Sequence, residues 1–142
     1  MNGRLNLIAD AKVNVNGLKT WGQPILILEF PFPPSVNHYL GRFGNRTYKT
    51  AKAKSYNQAV YDIVKLHGAD KQFNYPLNVL YMYWMPDKRK RDIANYEKVL
   101  TDSMVTAGVM VDDHLVHRLV QEKKGVQKGG KVVVFIYPYL PS

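Results

Sequence analysis

Between Pro76 and Pro86 the chain reads Leu-Asn-Val-Leu-Tyr-Met-Tyr-Trp-Met, a run without a charge and with apolar side chains on both sets of alternate positions. That length suits a strand, and a strand apolar on both faces has to be covered on both. The flanking prolines fix its limits, because proline donates nothing to a strand ladder. The rest of the chain must therefore supply layers around this one strand, or a second copy must help; the segment reads equally as core or as interface.

The neighbouring patterns supply those layers. Pro24 precedes an apolar run, Ile25 to Phe30, which Pro31, Pro33 and Pro34 turn into a stiff loop, so a strand is predicted there. Lys49 to Leu66 carries Tyr56, Val60, Ile63, Val64 and Leu66 at roughly helical spacing, with Gly68 as a stop, and predicts an amphipathic helix. From Asp92, the residues Ile93, Tyr96, Leu100, Met104 and Ala107 recur at steps of three and four up to Gly108, which predicts a second helix with a glycine cap. Leu115 to Lys123 and Val132 to Tyr137 read as two strands joined through the Gly-Lys loop into a long hairpin. The expected class is α+β, a small mixed sheet of about four strands packed with two main helices. A length of 142 residues fits one domain, 25–142, preceded by an extension, 1–24, in which Asn16-Gly17 signals a hairpin between Lys12 to Val15 and Leu18 to Trp21.

Composition narrows the chemistry. The chain contains no cysteine, which removes disulfides, thiolate metal sites and cysteine nucleophiles. Any metal has to be held by oxygen or imidazole. No run approaches the roughly 18 apolar residues of a membrane span, and Met1 to Asp10 lacks the order of a signal peptide, so a cytoplasmic protein is expected. Twenty Lys and Arg against eleven Asp and Glu leave a net charge of +9, which points to a polyanionic partner. Ser35 to Lys54 holds Arg42, Arg46, Lys49, Lys52 and Lys54 with no acid, interleaved with Tyr39, Phe43 and Tyr48. Lys88, Arg89, Lys90 and Arg91 are consecutive, and Lys123, Lys124, Lys128 and Lys131 surround Gly125, Gly129 and Gly130. Three such clusters suit a surface that follows a phosphate backbone.

Against this background the acids stand out. Asp92 follows the basic run where strand gives way to helix; its ordinary role there is an N-cap, and its alternative role is a metal ligand. Asp112 and Asp113 form a second pair before the next strand, where a solvated turn is the ordinary reading. If chain reversal brings the two groups to one end of the sheet, their oxygens suit Mg²⁺, which needs only one or two carboxylates beside water and phosphate. Lys98 shares a helix face with position 94 and supplies a point charge for phosphate, or is a plain surface lysine. His114 and His117 adjoin the acids, but three residues apart on a strand they face opposite sides. Neither a Gly-x-Ser-x-Gly elbow nor a phosphate-binding Gly-x-x-x-x-Gly-Lys-Ser/Thr loop occurs.

Three segments in order, Phe30-Pro-Phe-Pro-Pro-Ser-Val-Asn37, Met85-Pro-Asp-Lys-Arg-Lys-Arg-Asp-Ile-Ala-Asn-Tyr-Glu-Lys98 and Ala107-Gly-Val-Met-Val-Asp-Asp113, followed by the Lys-Gly-Gly loop, resemble the RusA family of Holliday-junction resolvases. The resemblance spans about Ile25 to Tyr137. It implies a RusA-like α+β fold and a homodimeric, Mg²⁺-dependent endonuclease that nicks four-way DNA junctions symmetrically in recombination and repair, in a bacterial cell or a phage-infected host. Carried over position by position, it makes Asp92 and Asp113 metal ligands and Lys98 the essential lysine, with Asn95 and Asp112 supporting the ligands. Lys88 to Arg91, Asn37, Arg42, Arg46, Lys123, Lys124 and Lys128 are the expected DNA contacts. The second acid of the family's Asp-x-Asp-Asn pattern falls on Ala94, and a methyl group coordinates no cation. The chain as written is therefore expected to cut poorly or not at all. It is either a natural non-cutting relative or a chain with Asp replaced by Ala, and the retention of Asp92, Asn95, Lys98 and Asp113 favours the replacement. Two other classes compete: a junction-binding protein without catalysis, and a basic RNA-binding protein, which gives no reason for Asp92 and Asp113.

Overall fold

The computed structural model describes residues 21–141. The expected hairpin around Asn16-Gly17 lies outside the described residues. Strand β1 (Leu26–Phe30) leads through the proline loop to a single helical turn, α1 (Val36–Tyr39). Two short strands follow, β2 (Leu40–Phe43) and β3 (Arg46–Lys49), then helix α2 (Ala51–Leu66) and strand β4 (Leu77–Met85). A 3₁₀ turn (Ile93–Asn95) precedes helix α3 (Glu97–Ala107), a second 3₁₀ turn (Asp113–Leu115) precedes β5 (Val116–Val126), and β6 (Lys131–Pro138) ends the sheet.

The main sheet has the order β1-β6-β4-β5, with β6 antiparallel to both β1 and β4, and β4 parallel to β5. The α+β class and the four mixed strands are as expected. The long hairpin between the last two strands is not: β4 lies between them, and Gln127 donates its amide to the Met85 carbonyl at 2.9 Å as the connection crosses the end of that strand. A charge-free strand exposes a full row of backbone groups along each edge, and pairing both edges satisfies them. That requirement outweighs the closeness in sequence of β5 and β6.

Alternation along β4 builds two cores. Leu77, Val79, Tyr81, Tyr83 and Met85 face the helices and pack with Val60 and Val64 of α2 and Leu100 and Met104 of α3. Leu80 and Met82 face the other way and meet Trp21, Val133, Phe135 and Tyr137. Leu77 to Tyr83 are thus buried within the chain, which assigns this segment to the core.

Helix α2 starts two residues later than the expected Lys49, because Thr50 caps it: its Oγ1 accepts the Ala53 amide at 3.2 Å. The expected helix from Asp92 is interrupted. Asp92 and the 93–95 turn form a separate 3₁₀ cap, Tyr96 breaks the line at φ −115°, and α3 begins at Glu97. Gly108 closes it at φ +90°, the left-handed cap expected.

Candidate nucleic-acid interface and metal-ligand positions

The β4–β5 crossover carries the acids. Because β5 runs parallel to β4 with Val116 beside Leu77 and Val126 beside Met85, the crossover leaves the sheet at one end and re-enters it at the other. Asp92 lies near its start and Asp113 near its finish, so the two carboxylates are not brought to one end of the sheet by strand order. The fold back of the chain narrows the separation: the 93–95 turn sits beside β5, and the 113–115 turn beside α3. Among the described residues no three carboxylate or imidazole groups converge as a metal site.

Each acid also does local work. Asp92 is exposed and accepts the Ala94 amide at 3.0 Å, the capping role that sequence alone allows it. Asp112 accepts the His114 amide at 3.1 Å and lies 3.1 Å from the His114 ring. The backbone bond, then the ring and the neighbouring Asp113 carboxyl, hold Asp112 down at about 2. Asp113 and Ala94 are exposed. Lys98, on the first turn of α3, is exposed and in no ion pair among the described residues. Its shared helix face with position 94 is lost to the break at Tyr96. The histidines diverge, with His114 on Asp112 and His117 against the Tyr139 ring at 4.8 Å.

The basic run is folded by the acid that precedes it. Asp87 accepts the Arg89 amide at 2.9 Å and takes both terminal nitrogens of Arg91, whose side chain is only 16% exposed. Arg91, first among the causes, holds the Asp87 carboxyl well below the usual carboxylate range. From the sheet, Lys123 donates to the Arg91 carbonyl at 2.5 Å. Arg91 and Lys123 therefore shape the loop as well as charging it, while Lys88 and Lys90 are exposed and in no ion pair among the described residues, and Arg89 is 78% exposed. Around the third cluster, Lys124 pairs with Glu122, Lys131 with Glu29, and Lys128 is exposed.

Two segments separate in sequence meet here. The proline loop and the basic run line a cleft of about 390 Å³, with Phe32, Pro33 and Lys52 on one side and Arg89, Lys90 and Arg91 on the other. Asn37, on α1, is exposed and does not line this cleft, and Arg42 and Arg46 are exposed on β2 and β3. Sequence reading missed two features: the role of Asp87, signalled by an acid at spacing two and four from arginines, and the β2–β3 hairpin, signalled by Gly44-Asn45. Gly44 at φ +61° heads that turn as a type II′ hairpin requires.

An α+β fold with a basic cleft whose lining ends at Arg91, next to the exposed Asp92, suits contact with phosphate groups. The family model described as "Endodeoxyribonuclease RusA" matches residues 31–137. A protein named "Crossover junction endodeoxyribonuclease RusA" from Escherichia coli O139:H28 is 33% identical over 109 residues, covering 77% of this chain and 91% of the relative. Proteins of the same name from Escherichia coli K12 and Enterobacteria phage 82 are each 32% identical over the same length and coverage. The chain belongs to the RusA family of endodeoxyribonucleases.

Proposed function

We propose that this protein is a structure-selective endonuclease of the RusA type, acting on four-way DNA junctions, in which Ala94 impairs the cutting step and leaves the binding step intact. The observation that carries the reading is the family match across 31–137; that span includes Asp92, Asn95, Lys98 and Asp113, the residues to which the resemblance assigns the site. The exposed charges of the basic run and of β2 and β3 supply phosphate contacts, which give affinity without reading sequence.

The family implies a divalent metal, and Asp92 and Asp113 offer the hard oxygen donors that suit Mg²⁺. The donor set is one carboxylate short of the family's pattern, since position 94 presents a methyl group, and among the described residues Asp92 and Asp113 are not gathered with a third carboxylate or imidazole into one cluster. No metal-dependent step is assigned to this chain for that reason. Lys98 is suited to neutralise charge on a phosphate, with Asn95 and Asp112 holding the ligand loops. A junction has two strands to nick, and a two-fold dimer presents two equivalent sites. Light scattering at micromolar concentration should give the mass of a dimer; a monomer counts against that part.

Competition in a gel shift tests the binding reading. Unlabelled four-way junction should displace a labelled junction at far lower concentration than linear duplex or structured RNA. Preference for RNA overturns the proposal in favour of a basic RNA-binding protein.

A further inference from the structure

Among the described residues the β2–β3 hairpin pairs with no other strand, and nearly every residue along it is exposed. Its register pairs Gly41 with Tyr48 and Phe43 with Arg46, so these four share one face. Phe43, next to the turn, is 82% exposed, and Tyr48 is 52% exposed. Tyr48 lies against the backbone of β2: a Cβ added at Gly41 would fall 2.4 Å from its ring. The ring is thereby backed by main chain at Gly41 while about half of the residue stays exposed. Arg42 and Arg46 are in no ion pair among the described residues, and no acid occurs from Ser35 to Lys54.

We propose that this hairpin is a finger that enters the branch point of the junction and stacks Phe43 and Tyr48 on bases freed from pairing there, with Arg42 and Arg46 on the flanking phosphates. The proposal rests on the reading that the protein binds branched DNA. Rings beside arginines in an acid-free segment match the two surfaces of a nucleic acid strand, and every base offers a π-face without regard to sequence. In a duplex those faces are already stacked, so the finger finds its ligand only where pairing is interrupted. That makes it a device for structure selectivity, distinct from the phosphate contacts of the basic run.

The finger is also fixed relative to the helix that bears Lys98. At its base the Tyr39 hydroxyl donates to Asp102 of α3 at 2.5 Å, Lys49 pairs with the same carboxylate at 3.4 Å, and Thr50 donates to the His38 carbonyl at 2.5 Å. A branch point held on Phe43 therefore has a set distance to the first turn of α3.

The test uses the chain as it stands, with three end-labelled DNAs: a four-way junction, a linear duplex, and a duplex interrupted by an unpaired loop. Phe43→Ala, at an exposed position, should weaken junction and looped-duplex binding about ten-fold, the scale of one base–aromatic stack, and change linear-duplex binding less than two-fold. Phe43→Trp should retain the parent affinity. An equal loss on all three DNAs, or no loss on any, overturns the finger. If the parent shows no preference for the junction over the linear duplex, the functional reading fails, and the looped duplex still decides whether Phe43 stacks on unpaired bases.

Discussion

Arg91 donates both terminal guanidinium nitrogens to the two carboxylate oxygens of Asp87, four residues earlier, and so fixes the backbone that enters Asp92. The only acid between Met85 and Asp92 thus sets the shape of the basic run.

Asp87 should leave a mark on acid stability. Its carboxyl titrates below its ordinary range because of Arg91 first and the Arg89 amide second. A group depressed in the folded state contributes stability that is complete above the unfolded carboxylate value of about 4, and that is lost as pH falls from there through the folded value. Melting temperature followed from pH 7 to pH 2 should therefore drop more steeply below about 4 in the parent than in Asp87→Asn, the two curves converging at the acid end. Parallel curves would show that the pair is open in solution.

Tyr81, Thr101 and Glu97 form a chain under α3. Thr101 donates its one hydroxyl proton to Glu97 at 2.7 Å, so the buried Tyr81 hydroxyl, also at 2.7 Å, donates to Thr101. Tyr81→Phe should cost about 1 kcal/mol, and Thr101→Val, which leaves the Tyr81 hydroxyl without an acceptor, roughly 1–3 kcal/mol. The double variant should lose less than the sum, by about 0.5 kcal/mol or more. Strict additivity in urea unfolding would show that the two hydroxyls act independently.

Asn78 is 1% exposed on β4, and among the described residues neither its amide nitrogen nor its oxygen has a hydrogen-bond partner. It lies on the face away from the helices, in register with Arg118 of β5 and Tyr137 of β6. Asn78→Leu removes an unsatisfied amide at nearly constant volume and should stabilise the fold by roughly 1–2 kcal/mol, seen as a higher urea midpoint at unchanged slope. A lower midpoint would mean that the amide finds a partner in solution.

What could be read from sequence follows from how local each cause is. The nine residues of β4 were delimited by two prolines and a charge-free composition, and the end of α3 by Gly108, all signals contained in a few neighbours. Strand order was not readable, because insertion of β4 between β5 and β6 is settled by hydrogen bonds between segments with no pairwise signature. The break between Asp92 and α3 escaped for a related reason: apolar spacing continues through Ile93 and Tyr96, while the Asp92 side chain bonds the Ala94 amide and diverts the backbone. The acids, Lys98 and the basic runs were legible as residue types. Their mutual placement came only with the parallel crossover, and the bond from Tyr39 to Asp102, 63 residues apart, has no local signal at all.

The central claim is that this chain keeps a junction endonuclease's surface and lacks one carboxylate at position 94. It is tested most directly by incubating an end-labelled four-way junction with Mg²⁺ and either the parent or Ala94→Asp, with linear duplex as control. Position 94 is exposed, so the larger side chain has room. The account predicts paired, symmetric nicks in the junction from Ala94→Asp, little or no cutting by the parent, and an intact duplex with both. Binding of the junction by both proteins with cutting by neither would contradict it and make the protein a junction-binding module.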